Sequence, residues 1–64
     1  MNLIALLNRT RRLNLDQRYA ELISAKPHFK PRSIDMAHLL YEIERVNFRR
    51  LRRELRRESR EDAA

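Results

Sequence analysis

The chain has 64 residues, with no cysteine, no glycine, two prolines, and 15 Lys+Arg against 9 Asp+Glu for a net charge of +6. That length allows one domain, 1–64, whose core rarely contributes more than ~3–5 kcal/mol unless something staples it, and the lack of cysteine excludes disulfides and thiolate metal sites. Tight turns between strands call for Gly or Asn-Gly, neither of which occurs here, while Leu, Arg, Glu and Ala favour helix, so the chain is expected to be all-α.

The first helix is expected over about 2–25. Ile4, Leu7, Arg11, Leu15, Tyr19 and Leu22 step by three or four, the spacing of one helix face, and Leu3, Leu6, Leu13 and Ile23 widen it. Arg11 interrupts the stripe, and Asn14 followed by Gln17 offers the start of a fresh helix. One bent helix or two short ones broken between Asn8 and Asn14 both fit, and the continuous helix is the expectation carried forward. The longest apolar run, Leu3 to Leu7, has five residues, far short of the ~20 needed to cross a bilayer. No charge precedes that run and Arg9, Arg11 and Arg12 follow it, which does not fit a secretory signal, so a cytoplasmic location is expected.

Residues 26–32, Lys-Pro-His-Phe-Lys-Pro-Arg, form the connection. Each proline disfavours helix in the residue before it, so Lys26 and Lys30 should be extended. Seven stiff residues are too many for the short turn of a helix-turn-helix motif. Phe29 is expected to fold back and close the end of the helix pair; exposed, it would instead stack on a base or a partner.

Ser33 is placed to cap the second helix, expected over about 33–61, with Asp35 in its positive first turn. Ile34, Tyr41, Phe48 and Leu55 form a seven-residue ladder, while Met36, Leu40, Ile43 and Val46 lie round the side. A helix apolar over that breadth must be buried on two sides, and one neighbouring helix covers one. In an antiparallel hairpin, Leu22 and Ile23 should meet Ile34 and Ala37, Leu15 and Tyr19 should meet Leu40 to Ile43, and Ile4 and Leu7 should reach Leu51 and Leu55. The face of Met36, Leu39, Leu40, Ile43 and Val46 would then be free to pair. Two hairpins joined by that face would make a homodimeric four-helix bundle; another protein's groove could take the same face.

From Phe48 onward the helix changes character. Residues 34–44 carry three acids and no Lys or Arg, net −3, whereas residues 45–64 carry eight arginines against four acids, net +4. Arg45, Arg49, Arg52, Arg53, Arg56 and Arg57, joined by Arg9, Arg11 and Arg12 from the first helix, are the candidates for contact with an acidic partner, RNA and DNA included. The arginine-rich tail resembles RNA-binding arginine helices in composition alone and has no base-specific signature. The competing reading is a solvated helix end in which Glu54 pairs with Arg57, or Arg57 with Glu61, at helical spacing. No wide apolar face remains in the tail to lie in a membrane surface.

Little here points to chemistry. His28 lies in the connection, and His38 has Asp35 and Glu42 within helical reach, which is far from a metal-ligand set. No catalytic residue, cofactor, metal or small-molecule substrate is expected. The sequence reads as a small non-enzymatic binding or regulatory protein that contacts an acidic partner. The alternatives are an inhibitor or adaptor docking its apolar second helix, or an assembly component whose oligomer is itself the function.

Overall fold

Two asparagines and one serine decide where the helices begin. In the computed structural model, which describes the backbone of residues 1–63 and the side chains of residues 1–60, α1 spans Leu3–Thr10, α2 Leu15–Ala25 and α3 Ile34–Ala63. A short 3-10 turn, Lys26–His28, follows α2, and there is no strand among the described residues. Asn2 Oδ1 accepts from the backbone N–H of Ile4 at 2.8 Å and of Ala5 at 3.3 Å. Asn14 Oδ1 accepts from Gln17 N–H at 2.9 Å, and Ser33 Oγ accepts from Met36 N–H at 3.1 Å. Each satisfies an N–H that the first turn of a helix leaves without a partner.

The continuous first helix expected from periodicity is therefore corrected to two helices. The chain leaves α1 after Thr10, whose buried hydroxyl donates to the carbonyl oxygens of Leu6 and Leu7, and Leu13 N–H closes a turn on Thr10 O. Had the helix continued, Arg11 would have stood in the apolar stripe between Leu7 and Leu15. The break instead leaves Arg11 and Arg12 exposed at a turn, and the Asn14 cap restarts the helix.

That break changes what covers α3. Leu3 and Leu6 of α1 join Leu22 and Ala25 of α2, Phe29, and Leu39, Ile43 and Val46 of α3 in one buried cluster, with Met36, Leu7, Leu15 and Tyr19 packed against it. α2 packs along the N-terminal half of α3, and Leu3 and Leu6 of α1 complete the same cluster, so the face that carries Leu39, Ile43 and Val46 is shielded within one chain. Of the face expected to be free, Leu39, Ile43 and Val46 are buried and Met36 is partly buried, so only Leu40, 41% exposed, remains in the open. The ladder expected inside is outside: Ile34 is 78% exposed, Tyr41 61%, Phe48 63% and Leu55 62%. The expected register also fails, because Ile4 borders Asp35 and His38 near the start of α3, whereas Leu15 borders Arg49 to Arg56.

Phe29 does fold back, buried among Leu22 and Ala25 on an extended backbone. Lys26 does not follow the expectation of extended geometry. It is helical, at φ −51 and ψ −45, because Pro27 enters the first positions of the 3-10 turn, where a missing N–H breaks no hydrogen bond. Arg32 then takes φ 66, the left-handed region, one residue before the Ser33 cap. In a chain without glycine an arginine bears this strain, which costs about 1–2 kcal/mol.

Thirty residues of α3 make a rod of about 45 Å, close to the 47 Å long axis of the whole molecule. Residues 51–60 are exposed in every direction, so the second half of α3 projects beyond the packed body.

Candidate arginine interface on helix α3

Helical spacing sorts the arginines of the projecting rod before any contact is considered. Arg49, Arg52 and Arg56 stand at i, i+3 and i+7, so they share one face. Their own i±3 and i±4 neighbours are Arg45, Val46, Phe48, Arg53, Leu55, Ser59 and Arg60, with no acid among them. Glu54 and Glu58 lie roughly 140° and 180° round the helix from Arg49, at about 100° per residue. Acids that alternate with arginines along the sequence are thus segregated to the far side of the rod.

The packing then separates tied arginines from untied ones. Asp16, in the first turn of α2, accepts from Arg50 Nε at 2.8 Å and Arg53 Nη2 at 3.1 Å. Arg50 also lies over the Tyr19 ring, 4.4 Å from its centre. Arg18 pairs with Glu42 at 3.3 Å, both side chains largely buried, and Arg45 reaches the other oxygen of Glu42 at 3.4 Å. The buried Nε of Arg18 has no hydrogen-bond partner. Arg9 pairs with Glu21 at 3.4 Å, and Arg57 stands 4.0 Å from Glu54. A pairing of Arg57 with Glu61 lies outside the described side chains.

No ion pair involves Arg11, Arg12, Arg49, Arg52 or Arg56 among the described residues. Arg49, Arg52, Arg53 and Arg56 line an open groove of about 300 Å³ whose remaining wall is Leu15. Arg12 is three residues from Leu15, so the chain between them holds its Cα within about 11 Å of that wall. The exposed turn bearing Arg11 and Arg12 therefore sits at the arginine end of the molecule. Cations gathered there add their fields and attract anions at a distance.

The packing also moves the pKa of Asp16. The hydrogen bond from Arg50 lowers it below its ordinary value, desolvation pushes the other way, and the hydrogen bond and charge of Arg53 lower it further. The carboxylate at the head of α2 is stabilised by the helix dipole as well. Its two arginines consequently hold the rod to the body rather than standing free.

Sequence reasoning missed Arg50, which joins body and rod, and Leu15, the apolar wall of the groove. Asp16 and Tyr19, three residues apart on one face of α2, were the available signal for Arg50. A second open groove, about 350 Å³, is lined by Tyr41, Glu44, Arg45, Phe48, Arg49 and Arg52, with Arg45 5.9 Å above the Tyr41 ring. His28 and His38 are exposed, and no cluster of three metal-ligating side chains occurs among the described residues. No helix among them is long and apolar enough to cross a membrane. No protein-family model matches the chain, and neither a curated protein nor a solved structure is significantly similar to it.

Proposed function

We propose that the protein is a non-catalytic binding protein that uses the arginine face of α3 to contact the phosphate backbone of a nucleic acid. One observation carries this reading: Arg49, Arg52 and Arg56 form a stripe with no acidic neighbour at helical spacing and no ion pair among the described residues, on a rod that projects from the body. Planar guanidinium groups make paired hydrogen bonds to phosphate, and a helix can lie against a phosphate backbone or enter a groove. Arg53, and Arg11 and Arg12 from the α1–α2 turn, extend the same basic end.

The test is binding to generic RNA and DNA pools at low and high salt. Phosphate contact predicts a log affinity that falls with log salt by ~0.7–0.9 per phosphate neutralised. The triple substitution Arg49→Gln, Arg52→Gln, Arg56→Gln should remove binding while leaving helical content unchanged. Retained binding would end the reading.

A second reading, docking of α3 on a protein, is supported by the exposure of Tyr41, Phe48 and Leu55 on one line of the helix. Under it, Phe48→Asp removes the activity, whereas loss of arginines mainly slows association.

A further inference from the structure

The ladder Ile34, Tyr41, Phe48 and Leu55 is left uncovered by the chain's own fold. At seven-residue spacing it runs about 31 Å along one line of α3. Exposed Leu51 and Leu40 lie beside it, 54% and 41% exposed. A soluble helix seldom leaves so long an apolar line in water unless another helix covers it.

We infer that this ladder is covered by the same ladder of a second copy of the chain, with the two α3 helices antiparallel. The four positions are evenly spaced, so a two-fold axis between Glu44 and Arg45 brings Ile34 to Leu55 of the second copy and Tyr41 to its Phe48. Aromatic meets aromatic, aliphatic meets aliphatic, and each contact occurs twice.

Charge selects both the occupant and the direction. The first part of the helix, residues 34–44, is net −3, and residues 45–64 are net +4. Antiparallel pairing lays the negative part of one helix beside the positive part of the other, whereas parallel pairing stacks positive on positive. Glu54 and Glu58, which flank the ladder on one side, come to the end of the second copy that carries Lys30, Arg32 and the positive start of α3. At that end Met1 and Ile4 are exposed as well, 60% and 70%.

The pairing has a consequence for the arginine face. A two-fold axis perpendicular to both helices keeps both stripes on the same side of the pair. Arg49, Arg52 and Arg56 of the two copies then face one way, with stripe centres roughly 22 Å apart along the rods at about 1.5 Å per residue. One dimer presents a longer basic surface than either chain alone.

The inference shares its ladder with the second reading above but needs no foreign protein, so a monomer would sink it while leaving that reading intact. The full chain should sediment at twice its 7.8 kDa mass at high protein concentration without any ligand. Phe48→Glu should return it to one chain mass with unchanged helicity. Leu55→Glu, on the projecting rod away from the core, should do the same and serves if Phe48→Glu unfolds. Because the chain has no cysteine, direction can be read by oxidation. A mixture of Y41C and F48C chains should cross-link to each other, and neither should cross-link efficiently to itself. A single-chain mass for the unaltered protein, or efficient self-cross-linking of Y41C, overturns the inference. So does a Phe48→Glu variant that keeps its mass but loses a single-stranded oligonucleotide, which would assign Tyr41 and Phe48 to base stacking.

Discussion

Asp16 and Arg50 lie thirty-four residues apart in sequence, yet the carboxylate accepts a 2.8 Å hydrogen bond from the arginine Nε. With Arg53 on its second oxygen, Asp16 fastens the first turn of α2 to the point where α3 leaves the body. Its pKa is lowered in the folded chain, so its contribution to stability is complete above the ordinary value of 3.8 and disappears as pH falls through the lower folded value. Thermal melts of the unaltered protein and of Asp16→Asn should therefore differ near neutral pH and converge in acid. Equal melts at neutral pH would show that the link contributes nothing.

The same substitution frees two cations. Asp16→Asn should raise the affinity for a nucleic-acid pool and steepen its salt dependence, because Arg50 and Arg53 lose their carboxylate. By contrast, Arg49→Gln/Arg52→Gln/Arg56→Gln should lower both. Anisotropy titrations over a salt series compare the two variants directly, and a weaker Asp16→Asn would argue against the basic face as the binding surface.

Asn14 is the residue that makes two helices from one periodic segment. Asn14→Ala removes the acceptor for Gln17 N–H and should cost about 1 kcal/mol in denaturant unfolding. Asn8→Ala, away from either cap, should cost much less. Similar losses would mean that the cap is unimportant to the break.

Burial separates residues that look alike in sequence. Leu39→Ala should destabilise by about 2–5 kcal/mol and Phe29→Ala by about 3–5 kcal/mol, since both side chains lie in the core. Leu55→Ala, at 62% exposure, should leave the unfolding free energy of a dilute sample nearly unchanged. Chemical denaturation of the three variants checks the ranking.

Arg32, at φ 66, is strained where a glycine would be at ease. Arg32→Gly should raise the midpoint of unfolding rather than lower it, by up to about 1 kcal/mol. A loss of stability would show that the guanidinium makes an interaction worth more than the backbone strain.

Much of the local architecture was legible along the chain. Asn14 with Gln17 marked a possible restart, Ser33 marked the head of α3, and Phe29 between two prolines marked a plug. These are short-range effects, in which a side-chain oxygen reaches an N–H two or three residues away. Periodicity also showed that the first half of α3 is apolar over more than one side. It could not show which side faced inward, because Met36–Val46 and Ile34–Leu55 are both well-formed stripes on the same helix.

Composition, periodicity and capping by themselves determined that the chain is helical, where its first and last helices start, and that arginine dominates the last third. The tertiary structure alone decided that two short helices cover α3, that Leu39, Ile43 and Val46 lie inside, and that Tyr41 and Phe48 lie outside. It also decided which arginines are held by Asp16 and Glu42 and which have no ion pair among the described residues. The physical reason is range: caps and helix faces depend on neighbours three or four residues away, whereas burial and ion pairing depend on how the break at Thr10 to Asn14 folds α1 and α2 back across α3.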